Sequence, residues 1–292
     1  MARHSLKGFT LIELSIVLVI VGLIVGGVLV GRDLIKAASL RATIVQIDQY
    51  QLAVNTFREK TGYLPGDIPA GPALTFGLSA RGGYEGEGDG NFMIEGMLNT
   101  NWSNSNCGIC LSMGEIPVVW KDLGAMKLIG GNFAAASTNV IPPSSILGSA
   151  IDSYMPAAKM GNGNYIYVFS SGSLNSGTWV GTGTNYFGLS AITAIGGLGK
   201  PYANPGLTAS QANNIDGKID DGLPQKGRVL AIFLDGNTGL MGPVWVGATS
   251  TTATPGSSTT CYDNGNVAGT QLYSVTQNSG EGMNCALSFQ FH

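Results

Sequence analysis

The chain has 292 residues, of which only 11% are charged; 44 are glycine, and 15 basic against 18 acidic side chains leave a formal net charge of −3. That balance, without a local basic patch, argues against nucleic acid as a partner. The two histidines, His4 and His292, stand near the chain ends, and neither Gly-x-x-x-x-Gly-Lys-Ser/Thr nor Gly-x-Ser-x-Gly occurs. The residues therefore support no catalytic set, and a non-enzymatic role is expected.

Residues 9–30 form an apolar run broken by one acid, Glu13, with Arg3, His4 and Lys7 upstream. As a helix the run crosses a hydrocarbon core of about 30 Å, and the basic stretch before it is kept in the cytoplasm. A carboxylate in such a segment costs a few kcal/mol, so it calls for a positive partner. No Ala-x-Ala-like box ends the run; Gly22, Gly26, Gly27 and Gly31 sit among Val, Leu and Ile, and the chain continues into Arg32-Asp33-Leu34-Ile35-Lys36. Two readings of these glycines stand side by side: a stretch where the helix extends or melts, or close packing through small residues. Residue types alone also allow a simple signal anchor whose Glu13 reaches the interface.

Beyond the run, Leu40, Ile44, Ile47, Val54 and Phe57 recur at three- and four-residue steps, with Gln51 interrupting. They make an apolar stripe between polar faces bearing Arg41, Gln46, Asp48, Gln49 and Arg58, and Lys60 and Gly62 end the helix. Continuous from Phe9, that helix is roughly 75–80 Å long, and its outer half needs a domain to lie against. Pro65-Gly66-Asp67-Ile68-Pro69 predicts an irregular turn, and residues 70–112 read as glycine-punctuated loop. Residues 115–128 predict a helix ended by Gly130-Gly131, and 210–219 a short one. Strand composition marks 165–170 and 186–192, and 228–234 with 240–246 predict a hairpin around Asp235-Gly236-Asn237-Thr238-Gly239, with Phe233 and Trp245 in the core. The expected fold class is α+β.

Four cysteines outside the cytoplasm argue for disulfides. Cys261 and Cys285 flank a polar C-terminal loop, and Cys107-Gly108-Ile109-Cys110 is the other natural pair; bridges from Cys107 to Cys261 or Cys285 are the alternative. The only cofactor suggested is calcium. Glu85, Glu87, Asp89 and Asn91 place oxygen ligands at alternate positions with Gly90 where an EF-hand loop turns, although Glu95 falls one residue short of the terminal ligand position. Asp216, Asp220 and Asp221 form a second acidic group. A solvated glycine loop is the alternative for the first; the second lies at a helix C-terminus, a poor place for carboxylates without a compensating cation.

Gly8-Phe9-Thr10-Leu11-Ile12-Glu13-Leu14 resembles the processing and methylation motif of the type IV prepilin family, which includes pilins and the pseudopilins of type II secretion. The resemblance rests on the first tenth of the chain. It implies cleavage by a prepilin peptidase between Gly8 and Phe9, methylation of the Phe9 amine, and a Glu13 that pairs with the N-terminal amine of a neighbouring subunit. The organisation it implies is a leader over 1–8, a helix over 9–61 with 9–31 as membrane span and filament core, and an extracytoplasmic body over 62–292. It further implies a long helix on a mainly antiparallel sheet, and a C-terminal disulfide-bounded loop like that of many pilins. Implied partners are copies of itself or other pilins, the inner membrane and the assembly platform, in an inner-membrane precursor that becomes an extracellular or periplasmic filament. The alternatives are a pseudopilin, or a membrane-anchored adhesin that does not polymerise. One departure is the lack of the mid-helix proline that many pilins carry.

Overall fold

A single helix, α1 (Leu11–Thr61), opens the fold and continues from the apolar run into the body without a break. Its last turn carries Arg58 and Lys60, and Gly62 closes it at φ 81°, donating its N–H to the Arg58 carbonyl at 2.8 Å. That left-handed cap is the reason for glycine at this position. The computed structural model describes residues 10–82, 86–96, 109–138, 145–170, 183–236, 243–246, 260–263, 271–275 and 281–291. The remaining elements are α2 (Ala70–Thr75), α3 (Glu115–Ala125), β1 (Ile146–Leu147), β2 (Asn164–Ser170), β3 (Asn185–Ile195), β4 (Pro201–Asn204), α4 (Ala209–Ile219), β5 (Val229–Leu230), β6 (Ile232–Leu234), β7 (Pro243–Trp245), β8 (Tyr262–Asp263), β9 (Leu272–Tyr273) and β10 (Leu287–Phe291).

The architecture is α+β, a pilin-like pairing of one long helix with an antiparallel sheet. β3 is its centre. Its first half pairs with β2 on one side and β10 on the other, its second half pairs with β1 and β4, and β10 carries the sheet on to β5. Opposite Gly188 of β3 stands Tyr167 of β2, and a Cβ on Gly188 would meet the tyrosine ring at 2.2 Å. The ring thus uses the space that glycine leaves. Cys261–Cys285 joins the β8–β9 hairpin to the approach of β10, where Leu207 and Cys285 exchange two backbone hydrogen bonds.

The outer half of α1 is seated by both apolar and polar contacts. Ile47, Tyr50, Val54 and Phe57 are buried, and the Tyr50 ring stands edge-on to Trp120 of α3 at 5.0 Å. Trp120 in turn meets Phe187 of β3. Gln46, expected on a polar face, is buried instead. Its amide nitrogen donates to the Ala157 carbonyl at 3.0 Å, its oxygen accepts from Lys159 N–H at 2.9 Å, and the Thr43 hydroxyl accepts from Met160 N–H at 2.8 Å. The bridge and turn before β2 pair with that strand around Ala157, and Gln46 and Thr43 satisfy three further backbone groups of residues 157–160.

Three other sequence expectations change. Part of the 70–112 loop folds as α2, and the segment 228–234 divides: β5 pairs with β10, and only β6 forms the hairpin with β7. Phe233 is buried as expected, whereas Trp245 is half-buried at the edge of Tyr262. Stranding two buried backbone groups costs about 1–3 kcal/mol each. Gln46→Ala is therefore expected to destabilise the body by about 2–4 kcal/mol in denaturant unfolding of the purified chain, while Gln49→Ala, three residues on and exposed, stays within about 0.5 kcal/mol.

Candidate functional site

Among the described residues, the first half of α1 has no partner. Fifteen large apolar side chains between Leu11 and Val30 are each at least half exposed, and an 18-residue stretch of the helix reaches a mean hydropathy of 2.9 with none of it buried. Length and composition suit a membrane-crossing helix. Thr10 is the N-cap and Glu13 the third helical residue, and together they form a capping box. One Glu13 carboxylate oxygen accepts from the Thr10 N–H at 2.8 Å and from the Thr10 hydroxyl at 2.7 Å, and Glu13 N–H donates to the Thr10 hydroxyl oxygen at 3.3 Å. The acid that the sequence left in need of a cation thus has local donors and lies at the positive end of the helix dipole. Gly8 and Phe9, the proposed processing and methylation residues, lie outside the described residues.

A second constellation sits where α1 enters the body. Asp67, in the proline-flanked turn, accepts from Gly90 N–H and from Phe92 N–H, both at 2.7 Å. Glu115, first residue of α3, accepts from Gly88 N–H at 2.8 Å and Glu95 N–H at 3.0 Å. Asp122, further along α3, accepts from Gly66 N–H at 2.8 Å and pairs with the buried Arg81 guanidinium at 2.7 Å. Asp67 and Glu115 therefore hold residues 88–95 by their backbone, while Asp122 holds the turn at Gly66 and the side chain of Arg81. Gly88 and Gly90 have φ of 96° and 79°, and a Cβ on Gly88 would lie 2.6 Å from the Ile68 carbonyl oxygen, so the alternating glycines are required by the path. Phe92 adopts φ 65°, held there by Asp67 and by Asn185, whose amide donates to the Phe92 carbonyl at 2.9 Å.

Of the proposed calcium ligands, Asp89 is exposed and brings a carboxylate oxygen within 4.8 Å of those of Asp67 and Glu115. The others go elsewhere. Glu87 is buried and lies over Gly82, and the Asn91 amide donates to Asp89 at 3.1 Å; Glu85 lies outside the described residues. The sequence missed Asp67 and Glu115 because one read only as a turn residue and the other as a helix start. The second acidic group is also gathered: Asp216 accepts from the Tyr273 hydroxyl at 2.8 Å and from Gly222 N–H at 3.2 Å, while Asp220 accepts from the N–H groups of Arg228 and Val229. These acids bind backbone of the 220–229 segment to α4. Cys261 and Cys285 are bonded as expected, and Cys110 is disulfide-bonded, with Cys107 outside the described residues.

Burial pushes the Asp67 carboxyl up to about 7, against the pull of its two N–H donors and with the Asp89 charge adding to the rise. Burial first, then the Asp67 charge, holds Glu115 well above the usual range, and burial lifts Asp216 to about 6. Asp122 is raised by burial too, with Arg81 opposing.

With the geometry established, comparison with known proteins adds one finding. Residues 3–29 match the family described as the prokaryotic N-terminal methylation motif. This is the signal of type IV prepilin-like proteins, and with the pilin-like helix and sheet it points to a structural protein of that kind. No curated protein and no solved structure matches the chain.

A folded-state pKa above the unfolded value means that the folded protein holds its proton longer, so stability falls as pH rises from about 4 through about 7 and levels off above. In chelator-containing buffer the melting temperature is expected to be higher at pH 5 than at pH 7.5 by on the order of 5 °C. Asp89→Asn removes a charge that adds to the rise at Asp67 and is expected to lessen that slope while leaving the part due to burial; a steeper slope in the variant refutes the contribution given to Asp89.

Proposed function

We propose that this chain is a structural subunit of a type IV pilus-like filament. It inserts in the inner membrane as a prepilin, is cut before Phe9 and N-methylated there, and polymerises through packing of its N-terminal helix. The observation that carries this reading is the union of the methylation motif with a half-helix whose apolar side chains have no cover among the described residues. Cleavage would create an ammonium one residue before Thr10, beside the donors that now hold Glu13. In a filament core, a neighbour's ammonium and the Glu13 carboxylate would answer each other's desolvation, whereas either alone is penalised by several kcal/mol. The runner-up within the family is a pseudopilin of type II secretion; from another class, a membrane-anchored adhesin that stays monomeric.

Mass spectrometry of the mature chain is expected to find N-methyl-Phe9 at its start, and a product beginning at Met1 refutes the reading. Glu13→Ala is expected to leave insertion and cleavage intact and to lower the chain's share of sheared filaments by on the order of tenfold or more. A wild-type share in the variant would remove the role given to Glu13.

Calcium belongs to the same proposal as a ligand of the body. The favouring observation is the approach of Asp67, Asp89 and Glu115, a set of hard oxygen donors of which Asp89 faces solvent. Excess calcium over chelator is expected to raise the melting temperature by several degrees and to abolish the gain expected on acidification; identical melts in calcium and in chelator refute it.

A further inference from the structure

Where α1 ends, the fold holds an exposed aromatic ring in a backbone conformation that bulky residues rarely adopt. Phe92 has φ 65°, and 43% of its surface is open to solvent. Left-handed backbone is costly for such a residue and persists only where the surroundings over-determine it. Here they do. Asp67 accepts from the Phe92 N–H and Asn185 donates to its carbonyl, while the Asn185 oxygen accepts from Ile94 N–H at 2.9 Å and the Asn91 oxygen from Met93 N–H at 2.7 Å. The chain is thus pinned at Phe92 and just beyond it, and the ring stays outside the core. An aromatic side chain presented rigidly to solvent loses little freedom when it meets a ligand.

Between this ring and the last turns of α1 lies a hollow of about 460 Å³, lined by Asn55, Arg58, Glu59, Gly62 and Phe92. Its size falls within the ~300–1,000 Å³ of small-molecule sites, toward the lower end. The Arg58 guanidinium lies over the Phe92 ring, 5.4 Å from its centre. Among the described residues neither Arg58 nor Glu59 forms an ion pair, so both keep hydrogen-bonding capacity for a ligand. With one positive and one negative group in the lining, the hollow favours no net charge of either sign. It offers an apolar ring, guanidinium donors, a carboxylate acceptor and an amide that both donates and accepts. The complementary ligand is a small neutral ring with an apolar C–H face and hydroxyl groups around its edge, which is the chemistry of a sugar.

We propose that Asn55, Arg58, Glu59 and Phe92 form a binding site for a neutral sugar residue of a glycan. The site lies roughly 35–45 Å along α1 from the end of the apolar rod at ~1.5 Å per residue, well clear of a bilayer around that rod. It goes beyond the filament reading and holds whether the chain polymerises or stays anchored as a monomer.

The test uses the full chain in phosphatidylcholine nanodiscs, which carry no sugar. Methyl β-glucoside, methyl β-galactoside, methyl α-mannoside and N-acetylglucosamine are each titrated at millimolar concentration and followed by saturation-transfer NMR. At least one is expected to bind, with the strongest transfer to its ring C–H protons. Phe92→Asn removes the ring and supplies a residue that takes left-handed backbone more readily, so the loop keeps its path. Its melting temperature is expected within a few degrees of the parent, with sugar binding weakened about tenfold or more. Arg58→Gln, exposed and outside the loop, should weaken binding about fivefold and carries the test if Phe92→Asn does not fold. Transfer to none of the four sugars, or transfer that persists in the variants, overturns the site. So does displacement of the bound sugar by an equal concentration of N-acetylneuraminic acid, which would give the hollow to an anion. The mature N-terminus and the filament share of Glu13→Ala decide the filament reading separately.

Discussion

Fifteen large aliphatic side chains left uncovered on one half-helix set the terms for everything else in this molecule. Burying such a side chain is worth about 1.5–3 kcal/mol, so the rod as a whole represents on the order of 20 kcal/mol or more of unmet burial. That exceeds the 5–15 kcal/mol by which a typical domain is stable, and no rearrangement of the body could supply it. A segment of this kind fits cover by a bilayer or by other apolar surfaces. Passing from the first environment to the second changes the neighbours of the rod and leaves its need for cover the same, which is the physical condition for extraction from lipid into a polymer.

An apolar rod is useful to a subunit only if its position fixes that of the body. The outer half of α1 meets this need through a relay of rings, Tyr50 to Trp120 at 5.0 Å, Trp120 to Phe187 at 6.2 Å and Phe187 to Phe291 at 4.3 Å, which runs from the helix through α3 to the central strand and its neighbour β10. Apolar contact alone would tolerate sliding by a turn. Thr43 and Gln46 remove that freedom, because the backbone groups of residues 157–160 that they satisfy recur at fixed heights along the helix. Their donors and acceptors match in only one register.

Much of this frame was legible in the residues. The apolar run, the stripe ending at Phe57 and the Gly62 stop describe α1 nearly to the residue, because hydrophobic period and a left-handed cap are local signals. The helix at Glu115, the strands around Tyr167 and Phe187 and the helix ending at Ile219 were visible for the same reason. β10 was not read, although Leu287-Ser288-Phe289-Gln290-Phe291 alternates as a strand should; its pairing with β3 spans about a hundred residues and leaves no local trace. Gln46 was misjudged because an amide on a helix is polar by type and becomes buried only through acceptors and donors 111 and 113 residues away. The acidic loop shows the limit most clearly. Alternating carboxylates suggested one ligand set, yet the chain brings Asp89 to Asp67 and Glu115 and turns Glu87 inward, a grouping decided by where α3 crosses the 65–69 turn.

The glycines of the apolar rod complete the argument. A Cβ added at Gly22, Gly26, Gly27 or Gly31 would meet nothing within 4 Å, so no contact among the described residues asks for glycine at any of the four. Each weakens the helix by about 1 kcal/mol relative to alanine, and four together approach the stability of a small domain. Within a lone subunit this is loss without return. Both readings of these residues, backbone that yields as the rod leaves lipid and small surfaces that let another helix approach closely, return the loss only when a neighbour is present. On the filament reading proposed above, the sequence of the rod makes sense at the level of an assembly, the level at which Glu13, capped by Thr10 in the single chain, would exchange that local partner for the amine of another subunit.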